Sequence, residues 1–390
     1  TDDGRDQLRL VVNLEYLDNG SRAAFREQRR GGAQVGVARH HHRGVAGGVA
    51  PGSTLKPLIT LAGLDSGLRT PDDKVLSTGE FRLAGQRRGY RDSHGGGHGW
   101  TDARKAIGDS VNTYYYRLSL DMGIRKFDDY LTRYGFGAPT GIDLAGETGG
   151  ILPSPEWKAK NARKQGPWYP GDTVISSIGQ GFWKATPLQL AQSTAALAND
   201  GMLRRPHLVR ARRDDFDRPW TMVEQPAPRA ISRSAAHLQV VREGMIRTVH
   251  GAGGTARVIS GGLPYLIAGK TGTAQVVSRR GNISVNPRNL PMHVRHRALF
   301  IGYAPAENPT IALAVVVEGG GYGASTAAPI ARKILDAWLL GKMPEPDPGA
   351  LAAELAANPF ANVVTGANTA PAGPTVGDTG VEHLTTAPDT

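Results

Sequence analysis

A serine and a lysine lie three positions apart in APGSTLKPLITLAGLDSG, residues 50–67. Apolar residues recur there at helical spacing, and Pro57 falls in the predicted first turn, where its missing N–H has no intrahelical partner. Side chains at i and i+3 of a helix are surface neighbours, so the Ser53 hydroxyl and the Lys56 amine can meet. A lysine whose pKa is lowered by burial or by nearby cations can act as the base that activates a serine.

Two further stretches carry groups that such a pair needs. In GDSVNTYYY, Ser110 and Asn112 lie at a predicted helix break, where both side chains can face one cleft. In IAGKTGTAQ, an apolar strand ends in Lys270, Thr271, Gly272 and Thr273. Glycine at a strand edge lets the backbone of a substrate approach closely. S-x-x-K alone arises about once by chance in a chain of this length, so it carries weight only with the other two stretches.

The composition excludes several classes of protein. The 390 residues are 39% apolar, which is enough for a buried core in one large or two ordinary domains. Without cysteine, the chain can form neither disulfides nor a thiolate metal site, and it has no thiol nucleophile. The net charge of +11 suits a polyanion, but the arginines are scattered and no nucleic-acid-binding motif accompanies them. We therefore predict a solvated basic surface and no nucleic-acid partner.

The hydrophobic pattern predicts an α+β fold, an α/β sandwich with an antiparallel sheet flanked by helices and a helical subdomain. Early elements are a strand at 8–14, a charged helix at 21–30 and a strand at 33–38. Further helices are predicted at 53–67, 102–134 with a break at GDSVN, 155–164, 186–199 and 235–250. After Gly262, three β-rich runs predict the sheet, and STAAPIARKILDAWLLG predicts a helix that closes it.

We divide the chain into three parts. Residues 1–39 hold the first strands and helix, residues 40–342 form the main domain, and residues 343–390 are an Ala/Pro/Gly/Thr-rich tail that we expect to be disordered.

Consecutive histidines point in different directions, so RHHHRGVAGGVA is interpreted as a solvated loop rather than a metal site.

Two other polar clusters are given structural interpretations. Asp92 and His98, with His94 as a third candidate, offer metal ligands in a glycine-rich loop, but a polar loop is the favoured interpretation. We predict no metal and no cofactor. The tyrosines at 114–116 are interpreted as core residues rather than as a stacking platform.

The three motifs, in this order, form the signature of penicillin-binding proteins and class A β-lactamases. Over about residues 50–340 the chain resembles class B penicillin-binding proteins, most closely the elongation-specific penicillin-binding protein 2 group. The resemblance is carried by segments including APGSTLKP, TYYYRLSLDMGI, YGFGAPTGIDLAGE, PWYPGDTVISSIGQGFWKATPLQLA and AGKTGTAQ.

The resemblance implies a β-lactamase/transpeptidase-like fold and a DD-transpeptidase inhibited by penicillins. Ser53 would attack the penultimate D-Ala carbonyl of a peptidoglycan stem peptide, expel the terminal D-Ala and pass the acyl group to an amine of a neighbouring stem. Lys56 would deprotonate Ser53, and Ser110 would relay a proton to the leaving amine with help from Lys270. Asn112 would hold Lys56 and the substrate's amide in register.

The remaining roles implied by the resemblance concern substrate binding. Thr271 and Thr273 would bind the substrate's terminal carboxylate in the positive field of Lys270. The backbone N–H groups of Ser53 and Thr273 would form the oxyanion hole.

The resemblance also implies a location and partners: the bacterial inner membrane with the catalytic domain in the periplasm, and a RodA-type SEDS glycosyltransferase of the elongation machinery. No stretch approaches 18 uninterrupted apolar residues and the N-terminus does not resemble a signal peptide, so we expect this chain to be soluble and the membrane anchor to lie upstream. The segment before Pro51 is shorter than is usual in the family.

Two alternative functions remain open. A serine β-lactamase would need a water-activating glutamate, and the nearest candidate is Glu156, which has asparagine five residues later instead of four. A penicillin-sensing, scaffold or pseudoenzyme domain would become acylated without turnover, or would only assemble with partners. The shortened segment before Pro51 favours this second alternative.

Overall fold

Helices and short strands alternate along the chain, and four longer strands assemble into one sheet. The computed structural model describes residues 9–16, 41–87, 89–275 and 295–342. Its helices are α1 (His41–Ala46), α2 (Lys56–Asp65), α3 (Ala103–Gly108), α4 (Asn112–Arg133), α5 (Pro155–Asn161), α6 (Pro170–Ser176), α7 (Pro187–Ala198), α8 (Ala235–His250) and α9 (Ala327–Leu340). Its strands are β1 (Arg9–Tyr16), β2 (Val75–Ser77), β3 (Glu80–Phe81), β4 (Tyr90–Arg91), β5 (Gly99–Thr101), β6 (Met202–Leu203), β7 (Ala211–Arg212), β8 (Thr221–Met222), β9 (Arg229–Ala230), β10 (Ala268–Ala274), β11 (Arg297–Ala304) and β12 (Ile311–Glu318).

The main sheet has the strand order β1-β12-β11-β10. The last three strands pair antiparallel, as predicted, with Lys270 opposite Ile301. β1 pairs with β12 in parallel, with Arg9 opposite Ile311. Parallel strands cannot be joined by a tight hairpin, and here most of the chain separates the two. The remaining strands form four two-stranded ribbons, β2-β5, β3-β4, β6-β9 and β7-β8.

Both faces of the main sheet are buried. Along β11, Leu299 and Ile301 belong to the core that includes α2, α4 and α7, whereas Phe300 belongs to the core on the other face. α9 covers that second face with Ala331 and Leu335. Alternate strand residues thus serve opposite cores, as in a sheet covered on both sides. The predicted α/β sandwich is confirmed.

α2 runs through the first core and has almost no solvent-facing side. Its residues from Lys56 to Leu64 are all buried, and it packs on α4 and α8. Gly63 permits the close contact with α4, because a Cβ there would lie 2.8 Å from Leu118 Cδ2. A helix that is buried all round depends on packing more than on intrinsic propensity.

Most helices lie where the sequence predicts them. The helices expected at 53–67, 155–164, 186–199 and 235–250 are present, and the break in 102–134 separates α3 from α4. The solvated loop predicted for RHHHRGVAGGVA is wrong, because α1 forms there and packs on α7, with Val45 buried. The elements predicted at 21–30 and 33–38 and the tail at 343–390 lie outside the described residues.

All described residues belong to one compact unit, Thr1–Glu345. Across the described ranges, none of the helices combines the length and apolar character that crossing a bilayer requires.

The three tyrosines at the start of α4 are core residues, as predicted. Tyr114 and Tyr115 have no exposed surface, and Tyr116 is 3% exposed. The Tyr115 hydroxyl shares a 2.9 Å hydrogen bond with the Thr60 hydroxyl of α2. This bond ties the helix that carries Lys56 to the helix that carries Asn112.

We predict that Tyr115→Phe lowers the free energy of unfolding by about 1–3 kcal/mol, because it leaves the buried Thr60 hydroxyl without a partner. Urea denaturation measures the change. Thr60→Val in the same chain removes the orphaned hydroxyl, so the double variant is expected to lose less than the two single variants together. Strictly additive losses would contradict the pairing.

Candidate active site

Ser53 lies at the start of a helix, as predicted, but in a 3₁₀ turn. The turn spans Gly52–Leu55 and continues directly into α2 at Lys56. Side chains at i and i+3 eclipse in 3₁₀ geometry, so Ser53 and Lys56 lie on one side of the helix axis. Ser53 is half-buried, whereas Lys56 has no exposed surface. The serine can therefore be reached from solvent, while the lysine is enclosed by protein.

Lys56 is the centre of a hydrogen-bonded cluster. Its Nζ lies 2.7 Å from the carbonyl oxygen of Ser110, 3.1 Å from Ser110 Oγ and 2.7 Å from Asn112 Oδ1. Burial lowers the pKa of Lys56 to about 7, and the negative charge of Asp92 acts in the opposite direction. The described hydrogen bonds of Lys56 do not include Ser53 Oγ. The structure thus brings Lys56, Ser110 and Asn112 into direct contact, and Ser53 lies in the turn that immediately precedes Lys56.

The Ser110–Asn112 turn connects α3 to α4 and has an unusual backbone. Ser110 has a φ of 59°, in the left-handed region that residues with a Cβ rarely adopt. Its carbonyl oxygen and its hydroxyl both contact Lys56 Nζ. Such conformations cost about 1–3 kcal/mol and persist where the surroundings hold them. The contacts to Lys56 are part of what holds Ser110.

Asp92, a candidate metal ligand in the sequence, caps the N-terminus of α4. Its Oδ1 accepts a hydrogen bond from the Asn112 N–H at 2.6 Å, and its Oδ2 accepts bonds from the Thr113 N–H at 3.1 Å and the Ser77 hydroxyl at 2.9 Å. Burial raises the pKa of this carboxyl, but the hydrogen bonds outweigh burial and hold the pKa below its usual value. A carboxylate is stabilising at a helix N-terminus. Asp92 therefore fixes the backbone from which Asn112 reaches Lys56.

The two histidines of the same loop do not complete a metal site. His98 Nε2 lies 3.8 Å from Asp92 Oδ1, and the rings of His94 and His98 are 5.9 Å apart. In the part of the chain that the structure describes, no three His, Asp or Glu side chains are arranged to hold a metal ion. The loop instead connects β4 to β5 beside the candidate site.

The K-T-G-T residues lie on β10, which is opposite β1 at the other edge of the main sheet as described. Lys270 has no exposed surface, and its Nζ donates to the carbonyl oxygen of Thr271 at 3.0 Å. Burial, and after it the positive charge of Lys56, holds the pKa of Lys270 well below its usual range. The positive charge of Lys56 therefore disfavours the protonated form of Lys270. The described hydrogen bonds of Lys270 do not include the Ser110 hydroxyl.

The glycine of this motif has a packing role. A Cβ on Gly272 would lie 2.7 Å from Thr54 Cγ2. The predicted approach of a substrate's backbone at the strand edge stays a prediction. Gly272 lets the 3₁₀ turn pack directly on β10, which brings Ser53 close to Thr273.

Sequence reasoning missed two residues that contact this cluster. The Thr255 hydroxyl shares a 2.7 Å hydrogen bond with the Thr271 hydroxyl. Gln180 Nε2 donates to the carbonyl oxygen of Thr273 at 2.9 Å. Thr255 gives no local signal, but Gln180 stands between two glycines in IGQGF, a pattern typical of a tight turn.

A separate cavity of about 780 Å³ lies along the second half of α4, lined by residues that include Arg125, Asp128, Glu156 and Trp157. The residues that line it do not include Ser53, Lys56, Ser110, Asn112 or Lys270. Glu156 is ion-paired with Arg125 there. The candidate water-activating glutamate thus faces a different region of the molecule.

Comparison with known proteins gives consistent matches. The penicillin binding protein transpeptidase domain family matches residues 18–336. The peptidoglycan D,D-transpeptidase MrdA of Haemophilus influenzae is 37% identical over 307 residues, which cover 78% of this chain and 46% of that protein. The chain spans about half the length of the curated relatives it matches.

Solved structures agree with this match. Pseudomonas aeruginosa PBP2 in complex with WCK 5153 has a TM-score of 0.66 and 42% identity, over 78% of this chain and 63% of that one. The complex between PBP2 and MreC from Helicobacter pylori has a TM-score of 0.65 and 30% identity, over 77% of this chain and 51% of that one. The long family match, together with the S-x-x-K, S-x-N and K-T-G residues around one cluster, shows that the chain belongs to the penicillin-binding protein transpeptidase domain family.

Proposed function

We propose that this chain is the catalytic part of a peptidoglycan D,D-transpeptidase that cross-links stem peptides during cell elongation through an acyl-enzyme on Ser53. The observation that carries the proposal is the cluster in which buried Lys56 contacts Ser110 and Asn112 within one turn of a half-buried serine. A nucleophile, a base and a proton relay are the groups that acyl transfer requires.

Acylation begins with proton transfer from Ser53 to Lys56. A neutral lysine amine has two N–H groups and one lone pair. Donation to the Ser110 carbonyl and to Asn112 Oδ1, both at 2.7 Å, uses the two N–H groups. The lone pair is then available to take the proton of Ser53 as its Oγ bonds to the penultimate D-Ala carbonyl carbon.

Collapse of the tetrahedral intermediate breaks the carbon–nitrogen bond to the terminal D-Ala. The leaving amine takes a proton from the Ser110 hydroxyl, which regains one from Lys56 across the 3.1 Å contact. In the second half, the amine of a neighbouring stem attacks the acyl carbon and loses a proton through the same relay. Ser53 leaves with a proton, and the active site is regenerated.

The substrate's terminal carboxylate would bind to the hydroxyls of Thr271 and Thr273. Thr255 shares a hydrogen bond with Thr271 and so restricts the rotation of that hydroxyl. Lys270 lies on the same strand without solvent contact, and binding of the carboxylate would favour its protonated form, whose charge would then support the anion.

We also propose the cellular setting implied by the family. The catalytic domain would act in the periplasm, with an inner-membrane anchor outside this sequence, together with a RodA-type SEDS glycosyltransferase. The Helicobacter pylori PBP2 complex with MreC supports contact with elongation proteins more generally. β-Lactams would acylate Ser53 as substrate mimics. We propose that residues 1–39 are an N-terminal part, residues 40–342 the transpeptidase domain and residues 343–390 a tail.

The alternative functions are less well supported. Glu156 is paired with Arg125 and lines the cavity along α4, so it is not positioned to activate a water at Ser53. A scaffold that is never acylated has no need for two fully buried lysines with lowered pKa values, whereas a penicillin sensor differs from a transpeptidase only in turnover. Both features favour a transpeptidase.

We predict that Ser53→Ala abolishes covalent labelling by a fluorescent penicillin. In the unchanged chain the label is expected to persist, because Glu156, the candidate water-activating residue, lines the cavity along α4 and is paired with Arg125. Gel fluorescence over time measures both properties, and cross-linking of lipid-linked substrate tests the complete reaction. Rapid loss of label would indicate a β-lactamase, and stable label without cross-linking would indicate a sensor or a pseudoenzyme.

We predict that the acylation rate rises with pH and reaches half of its maximum at about pH 7, where Lys56 loses its proton. Below that pH the protonated amine cannot accept the proton of Ser53, and above it the neutral amine can. Stopped-flow acylation by a penicillin between about pH 5.5 and 8.5 measures the profile. A rate that is independent of pH across this range would contradict the role of Lys56.

We predict that Asp92→Asn moves this profile to lower pH, because the carboxylate of Asp92 raises the pKa of Lys56. Asp102→Asn is the matched control, since Asp102 also caps a helix, α3, through the Lys105 N–H. The control is expected to lose stability without moving the profile. An equal shift in both variants, or a shift to higher pH in Asp92→Asn, would contradict the electrostatic coupling.

A further inference from the structure

One short turn contacts both the 3₁₀ turn that carries Ser53 and strand β10. It runs from the end of α6 through Gly179, Gln180 and Gly181, and both glycines have positive φ values, 69° and 78°. The Gly179 carbonyl oxygen accepts a hydrogen bond from the Gly52 N–H at 2.9 Å. Gln180 Nε2 donates to the Thr273 carbonyl oxygen at 2.9 Å, and its Oε1 accepts a longer bond, 3.4 Å, from the Gln275 N–H.

The turn is itself held rigidly. The Gly179 N–H donates to the Ser176 carbonyl oxygen at 3.0 Å, and the Gln180 N–H donates to Ile175 at 3.2 Å. Trp183, which is 2% exposed, donates from its ring nitrogen to the Ser176 carbonyl oxygen. A Cβ on Gly179 would overlap the Gly52 carbonyl oxygen, so only glycine permits this approach.

The Gln180 contact on β10 indicates the direction in which the Thr273 N–H points. Among the described residues, β10 pairs with β11 alone and so lies at an edge of the main sheet. In an antiparallel sheet, the N–H and C=O groups of one residue point to the same side of the strand. Because Gln180 approaches the Thr273 carbonyl from outside the sheet, the Thr273 N–H also points to the free edge. Gly52 lies directly against this peptide, since a Cβ there would be 2.8 Å from the Thr273 carbonyl oxygen.

We infer that Gln180 is a positioning residue of the oxyanion hole. Its side-chain amide fixes the Thr273 peptide, and the same turn fixes Gly52 through Gly179, so the N–H groups of Ser53 and Thr273 stay aimed at one point. The inference rests on the proposed acyl transfer at Ser53. The described side-chain hydrogen bonds of Gln180 include neither Ser53 nor Lys56.

The test uses Gln180→Ala and Gln180→Met, of which the second keeps the side-chain length but not the hydrogen bonds. Gln192→Ala is the matched control, because the Gln192 Nε2 likewise donates to a backbone carbonyl, that of Arg204 at 2.9 Å, from a side chain that is more buried than Gln180. Stopped-flow acylation by benzylpenicillin separates the affinity of the initial complex from the acylation rate constant. Thermal unfolding is measured on the same variants.

Loss of one oxyanion donor lowers rates about 10²–10³-fold, so misalignment of one donor is expected to lower the acylation rate constant by about 10–100-fold. Both Gln180 variants should show this loss with less than about a threefold change in initial affinity, while Gln192→Ala acylates normally. A boronic acid that forms a tetrahedral anion on Ser53 should lose affinity in parallel, because its oxygen occupies the oxyanion hole.

The outcomes distinguish the inference from the proposed function. If the unchanged chain is not acylated, the proposed function fails and the inference fails with it. If the unchanged chain is acylated and the Gln180 variants acylate at the same rate, only the inference is overturned. A rate loss in Gln180→Ala that is no larger than that in Gln192→Ala at equal thermal stability would also overturn it.

Discussion

The enclosure of the Lys56 amine is the constraint on which the rest of this site depends. An ammonium group without solvent contact is costly, and the fold compensates by supplying two close oxygen acceptors and by lowering the pKa of the amine towards neutrality. Those acceptors must come from another segment, because the helix that carries Lys56 cannot turn its own carbonyl groups back to the side chain. The strained turn at Ser110 is the local solution to this requirement.

Each surrounding element can be related to this enclosure. Asp92 holds the first N–H groups of α4 and thereby fixes Asn112, and it adds a negative charge near the amine. Lys270 lies on β10, where burial and the positive charge of Lys56 hold its pKa well below its usual range. Gly272 and Gly52 remove side chains where the nucleophile's turn meets β10. In the proposed mechanism, Ser53 is the nucleophile and Lys56, with a pKa of about 7, is its base.

The sequence predicted the parts of this site that are local and chemically distinctive. Ser53 and Lys56 follow from helical spacing, and Lys270 and Thr273 follow from a strand that ends in turn residues. Contacts between distant segments could not be predicted, because no residue pattern near Thr255 or Gln180 indicates which residue each will contact. The helix at residues 41–46 was missed for the same reason, since its burial against α7 depends on a contact that composition does not encode. The parallel pairing of β1 is likewise a tertiary choice.

The most direct test of the central claim is an NMR titration of the lysine side chains, with Lys56 assigned by comparison with Lys56→Arg. The account predicts that the Lys56 amine titrates at about pH 7. Titration near the ordinary lysine value of 10.5 would contradict it, because a protonated amine at neutral pH could not accept the proton of Ser53.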